Sequence, residues 1–463
     1  MDHSKQLGES KVSSLIIKFS IPAIVAMLVN GLYNVVDRIF VGQGVGPLAI
    51  AGISIGFPIM LVIMACMMLI GLGANALLSI KLGEGNKKEA EHIMGNAITL
   101  FIIISAVITF FGLLFLDPML KAFGASKEVL PYARQYMQII LAGAVFQGFS
   151  FGLNNFIRGE GNPRIAMITM LFGAVLNAVL CAVFIFGFHM GIKGSAIATV
   201  IAQAASGIWI LAYFFSKRST LKIRAKNLKL NRRIVIGILA IGSAPFAMQM
   251  ASSLVNVILN KSLVNYGGDL AISGMGIVIA IQTLVIMPFI GINQGAQPII
   301  GYNYGAKNYD RVKQALKYAI LGSTLLAFLG LILVEVFPRQ LVTLFINKNE
   351  TELIEFTTYA LRTFLILLPL IALQLVSAAY FSAVGKPKQA AFLSLSRQLL
   401  LLIPAVLILP IFYKLHGVII AGPVADFCST IITGIWILNE MKKLKLGHEK
   451  SEAMKKRDEI DVF

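Results

Sequence analysis

The chain has 463 residues, 57% of them hydrophobic and only 13% charged, against about 25% charged in soluble globular domains, which excludes an ordinary soluble protein. The formal net charge of +18, from 40 Lys and Arg against 22 Asp and Glu, does not mark a nucleic-acid binder, because the basic residues lie in loops and tails between apolar runs. Cys66, Cys181 and Cys428 fall within apolar runs without metal-ligand spacing, so neither a disulfide framework nor a zinc site is indicated.

Runs of about 20 apolar residues cross a bilayer as helices, because a helix satisfies its own backbone polar groups in lipid. A transmembrane barrel would show alternation instead. The first 20 residues carry no short apolar stretch followed by a small-residue cleavage site, so the first span is expected to be retained. The sequence predicts an all-α polytopic membrane protein with about twelve transmembrane helices, near 15–41, 48–80, 93–116, 132–157, 165–188, 194–216, 234–264, 270–302, 317–337, 357–382, 389–412 and 417–440.

Orientation follows the bias of Lys and Arg. Between spans six and seven, Lys217, Arg218, Lys222, Arg224, Lys226, Lys229, Arg232 and Arg233 have no neighbouring acid, which places that linker in the cytoplasm. The same parity puts Lys81 to Lys88, Arg158 and Arg164, Lys307 to Lys313, and Lys386 and Lys388 inside, with both termini. The expected divisions are a six-helix bundle over 1–216, a basic cytoplasmic linker over 217–233, a second bundle over 234–441 and a charged cytoplasmic tail over 442–463.

The chain repeats itself. Ile21-Pro22 matches Ala244-Pro245, Asp37-Arg38 falls on Asn260-Lys261, and Leu48 to Gly52 matches Leu270 to Gly274. Gly73-Ala74-Asn75 meets Gly295-Ala296-Gln297, and Leu82-Gly83 meets Tyr304-Gly305. Gly161 to Arg164 lies over Gly385 to Lys388, and Gly194 to Ala198 over Gly417 to Ala421. Six crossings return the chain to its starting side, so the halves are parallel repeats around an axis along the membrane normal, with a transport site at the cleft between them.

Asp37 and Arg38 interrupt a charge-free expanse that runs from Phe19 to Ile80. A charge inside a span costs on the order of 2.5–3.5 kcal/mol on insertion scales and marks a functional-site hypothesis. Arg38 has a basic counterpart in Lys261, so it serves an architecture common to both halves, whereas Asp37 has only Asn260. That asymmetry favours ion or proton chemistry confined to the first half, over an interfacial pair of Asp37 with Arg38. Asn34 precedes Asp37 by three residues and faces the same side, where it can hydrogen-bond or ligate the carboxylate. Candidate cavity residues are Tyr33, Gln147, Asn154, Met248, Gln249, Asn256 and Gln282, the alternative for the polar ones being interhelical hydrogen bonding. The only deep acid of the second half is Asp426, read either as a second titrating group or as a partner of Arg397.

The two six-span halves, Tyr33-Asn34-x-x-Asp37, Leu176-Asn177-x-x-x-Cys181 continuing to Phe184-Ile185-Phe186-Gly187, and Gly194-Ser195-Ala196-x-Ala198-Thr199 together resemble the multidrug and toxic compound extrusion family. The resemblance covers nearly the whole chain. It implies a bacterial inner-membrane secondary transporter, acting as a monomer within membrane lipid and without a cofactor, that exports amphipathic, often cationic, drugs in exchange for protons or sodium. It also implies a coupling-ion site at Asp37, Asn177 and Thr199, with Cys181 where many members carry a second aspartate. Hard cations favour oxygen ligands, so the thiol weighs toward the proton, with Na+ at Asp37 as the alternative. A flippase for lipid-linked precursors is the rival within related architectures, and it would need more basic residues inside the spans than Arg38 and Arg397. An embedded enzyme and a channel are the rivals from other classes, and the chain carries no phosphate-cradling loop or metal-binding histidine pair.

Overall fold

The computed structural model of the chain describes residues 5–345 and 350–460, with the side chains of Asn34, Val35, Pro47, Asp269 and those from 445 onward outside that description. The described residues form helices joined by turns, with no strand among them.

Spans 1 to 3 are Val12–Gly44, Leu48–Gly83 and Lys87–Leu114, and span 4 is the pair Leu130–Ala142 and Ala144–Gly159, bent by 58°. Spans 5 to 9 are Pro163–Gly187, Gly191–Phe215, Arg232–Gly268, Leu270–Gly305 and Tyr309–Val336, and span 10 is the pair Thr351–Leu365 and Leu368–Ala383, bent by 48°. The last helical stretch, Pro387–Leu444, has 58 residues, far more than the roughly 20 that one crossing takes. Its break at Lys414, with φ 49° and ψ −134°, divides it into spans 11 (387–413) and 12 (415–444), giving the twelve expected. Helix continues beyond span 12 through the charged tail as far as Ile460.

Local sequence sets the turns. The repeat-matched Gly161-Asn162-Pro163 and Gly385-Lys386-Pro387 each place a glycine in the left-handed region, at φ 104° and 72°, and a proline at the start of the next helix. Large side chains such as Phe110, Ile208 and Ile411 are 63%, 64% and 67% exposed on outward faces, an arrangement suited to lipid.

Packing does not respect the division between repeats. Val12, Leu15, Ile16 and Phe19 of span 1 are buried in one cluster with Ile292, Ile299 and Leu316 of spans 8 and 9. Ile234 and Ile238 of span 7 are buried with Ile70, Leu78 and Met94 of spans 2 and 3. Each half thus lends the first part of its first helix to the other.

The crossings are close because glycines line them. A Cβ on Gly83 would lie 1.8 Å from the Tyr302 carbonyl oxygen, and one on Gly305 would lie 2.0 Å from that of Ile80. A Cβ on Gly73 would lie 2.2 Å from the Ile238 carbonyl oxygen, and one on Gly295 would lie 2.8 Å from Phe19 and Ser20. Gly83 and Gly305 are equivalent in the repeat, as are Gly73 and Gly295, so the contacts are reciprocal as a pseudo-two-fold axis requires. Asn75 and its equivalent Gln297 meet, Nδ2 donating to Oε1 at 3.3 Å. Nearby the Arg158 guanidinium donates to Gln294 of span 8.

The short N-terminal helix Lys5–Glu9 straps this end of the bundle. Gln6 Nε2 donates to the Gly161 carbonyl at 2.7 Å, and Arg311 Nη2 donates to the carbonyls of Leu7 at 3.0 Å and Ser10 at 2.6 Å. Beside it, the Glu160 carboxylate is fully buried and accepts from the Tyr213 hydroxyl, from Ser219 Oγ at 2.8 Å, from Thr220 Oγ1 at 3.1 Å and from the Leu221 N–H at 3.3 Å. Burial pushes this carboxyl up from its ordinary value, while those hydrogen bonds hold it down. Glu160 thereby fastens the basic linker to the loop after span 4. Hydrogen bonds to charged groups contribute about 1.5–3 kcal/mol each, so Glu160→Ala is expected to release the linker locally. Trypsin cleavage at the linker's Lys and Arg residues is then at least about tenfold faster than in the wild type. Equal cleavage rates would show that the anchor lies elsewhere.

Candidate functional site

The only carboxylate in span 1 is Asp37, buried at 8% exposure. Its Oδ1 accepts two hydrogen bonds, from Ser195 Oγ at 2.9 Å and from the Cys181 thiol at 3.1 Å. Cys181 stands one turn after Asn177 on span 5, and Ser195 one turn before Thr199 on span 6, so each helix presents two polar residues on a single face. Asn177 Nδ2 closes the set by donating to Thr199 Oγ1 at 3.1 Å. The Asn177 carbonyl oxygen is buried there without a hydrogen-bond partner among the described residues. Such a group is costly in lipid unless something donates to it, and a carboxyl that acquires a proton becomes a donor.

Asp37, Asn177, Cys181 and Thr199, predicted from widely separated stretches, therefore form one cluster. The side chain of Asn34 lies outside the described residues. Arg38 is exposed, and no ion pair joins it to Asp37 among the described residues. Ser195 escaped the sequence reading although it stands in the Gly-Ser-Ala motif, because a serine beside small residues in a span reads first as a packing position.

Among the cavity candidates, Tyr33 lies in the cluster beside Asp37 and Thr199. Asn154 bridges spans 4 and 5, its Nδ2 donating to the Ala166 carbonyl at 2.9 Å and to Thr169 Oγ1 at 2.7 Å. Gln147, Met248, Gln249 and Gln282 are half-buried and Asn256 is exposed, and among the described residues none of them hydrogen-bonds to Asp37. In the second half Asp426 is 1% exposed and accepts from Arg397 Nε, so the second acid is paired where the first is not.

The MatE family profile matches residues 22–183 and again 245–408, one match in each repeat. The chain belongs to the MatE family. Members of that family are transporters, not enzymes, and this MatE protein is a multi-pass membrane transporter with a two-lobe fold. It is 27% identical over 428 residues to "Multidrug export protein MepA" of Staphylococcus haemolyticus (strain JCSC1435), covering 92% of this chain and 94% of the relative. It is 26% identical over 411 residues to the MepA of Staphylococcus aureus (strain MSSA476), covering 89% of this chain and 90% of that one. Among solved structures, the "Outward-facing conformation of a multidrug resistance MATE family transporter of the MOP superfamily" superposes with a TM-score of 0.90 at 27% identity, covering 95% of this chain and 98% of that one.

Proposed function

We propose that this MatE protein is a multidrug efflux transporter that exchanges amphipathic, often cationic, drugs for protons by alternating access, with Asp37 as the proton carrier. The multidrug export named for its MepA relatives supports drug efflux. The observation that carries the ion assignment is the donor set: Asp37 meets a hydroxyl and a thiol, with no second carboxylate and no ion pair to a basic residue among the described residues. Sodium takes hard oxygen ligands, and a single carboxylate with a thiol beside it is a poor cage for it. The same carboxylate accepts one proton, and a cationic drug nearby favours its ionised form, so drug and proton compete. One proton entering down 100 mV supplies about 2.3 kcal/mol.

The lobes touch at the end of the bundle that carries Gly83, Gly305 and the Lys- and Arg-rich loops, which the positive-inside rule assigns to the cytoplasm. On that assignment both termini are cytoplasmic and the cleft opens outward, the state named for the similar solved structure. Opening inward then requires release of the Arg158–Gln294, Asn75–Gln297 and Gln6–Gly161 contacts.

Efflux from reconstituted vesicles under separately imposed proton and sodium gradients tests the ion. Wild type is expected to move a cationic dye under the proton gradient and to respond at most weakly to sodium. Cys181→Asp, which restores the second carboxylate, is expected to raise the sodium-driven rate several-fold. Wild-type efflux driven by sodium alone defeats the proton assignment.

A further inference from the structure

The second lobe holds an ion pair that coupling at Asp37 leaves unused. Arg397 lies in a π-helical turn, Ser396–Leu402, of span 11, and such turns are frequent at functional sites. Its Nε donates to Asp426 of span 12, whose side chain is 2% exposed, while the Arg397 side chain is 20% exposed. No hydrogen bond from the two terminal amino groups of Arg397 is present among the described residues. Contact through Nε leaves the end of the guanidinium, the fork that matches a carboxylate bidentately, open for a ligand.

Two further features favour a binding site at this fork. Counted along span 11, Arg397 lies ten residues from Pro387, about 15 Å at the helical rise and so near the bilayer midplane. A guanidinium at that depth faces the bundle interior and not hydrocarbon, and such groups mark substrate and ion pathways. Around the pair, Gln374 Nε2 donates to the Asp426 carbonyl at 2.6 Å and to Thr430 Oγ1 at 2.7 Å, and Gln398 Nε2 donates to Ser252 Oγ at 3.2 Å. The side-chain carbonyl oxygens of both glutamines are buried and have no hydrogen-bond partner among the described residues. The neighbourhood thus offers a positively charged donor fork and two unused acceptors.

The repeat supplies the control. The register that sets Gly161 over Gly385 sets Gly173 over Arg397, and Asp426 falls over Gln203. In the first lobe Gly173 packs against Ser206 with no charge at all. A pair required by the architecture would stand in both lobes, and buried ion pairs are in any case weak stabilisers relative to apolar replacements.

We propose that the Arg397 fork, oriented by Asp426, binds the carboxylate of substrates that carry one together with an amine or hydroxyl donor, such as zwitterionic drugs. This rests on the efflux reading above, and its test is therefore a binding measurement. A rhodamine dye with a free carboxylate and its methyl ester are titrated against detergent-purified full-length protein. The double variant Arg397→Gln/Asp426→Asn removes both charges and leaves no unpaired ion in the core. It is expected to bind the carboxylate dye at least tenfold more weakly than wild type and the ester within about twofold. Equal affinity of wild type and double variant for the carboxylate dye overturns the proposal, as does an equal loss for both dyes. Wild type that binds the carboxylate dye in this manner but exports neither dye from vesicles would defeat the efflux reading and leave the site standing.

Discussion

Asp37→Asn protein, inserted at wild-type levels, is expected to lose dye efflux driven by an imposed pH gradient, with a rate at least about tenfold below wild type and at the level of empty vesicles. The substitution is nearly isosteric, and the asparagine carbonyl still accepts from Ser195 and Cys181, so the cluster is retained. What disappears is the one group in it that both ionises and meets neutral donors. Dye binding in detergent serves as the control for folding and is expected to persist. Ser195→Ala removes one of the two donors and keeps the carboxylate, so it is expected to shift the pH at which efflux is half-maximal while leaving the maximal rate within a few-fold. A wild-type rate from Asp37→Asn under a pH gradient would remove Asp37 from the coupling path.

The twelve spans and their duplication were legible in the sequence because lipid forces long apolar helices and because the two copies kept their glycine and proline turns. Asp37 was legible for the opposite reason, as a charge where none is tolerated without use. The internal repeat separated it from Arg38, and the exposed Arg38 side chain agrees with that separation. Less could be read of what touches Asp37. Ser195 is a small residue among small residues, and its role depends on how spans 1 and 6 lie against each other, which no local pattern encodes. The packing of the first parts of spans 1 and 7 against the opposite half was equally hidden, because an apolar helix in a bilayer reads the same whichever bundle it packs against. The polar residues Asn154 and Asp426 show the same limit: the sequence allowed both a site and a structural partner, and their contacts with Thr169 and Arg397 emerge only from the packing of the spans.

Gly83→Val is expected to drive the lobes apart at the end where they now meet. A Cβ at this position would lie 1.8 Å from the Tyr302 carbonyl oxygen, whereas non-bonded atoms rest at about 3.5 Å, so the crossing must open by roughly 2 Å or the side chain is not accommodated. The obstacle is main chain on both sides, with no flexible side chain to swing away. Overpacking of this kind costs about 1–3 kcal/mol, enough to move the equilibrium between closed and open forms of this end by roughly tenfold. Spin labels on the exposed Lys88 and Lys307, one on each repeat, are expected to report a population with a longer separation, and turnover is expected to fall by about tenfold because the closed end is no longer reached. Pseudo-symmetry sharpens the expectation, since Gly305→Val, at 2.0 Å from the Ile80 carbonyl oxygen, must act in the same direction and to a similar extent. Gly434→Val, where a Cβ meets nothing within 4 Å, is the matched control and is expected to leave both readouts unchanged. Unaltered label distances with wild-type turnover in Gly83→Val would mean that this crossing is not part of the conformational cycle.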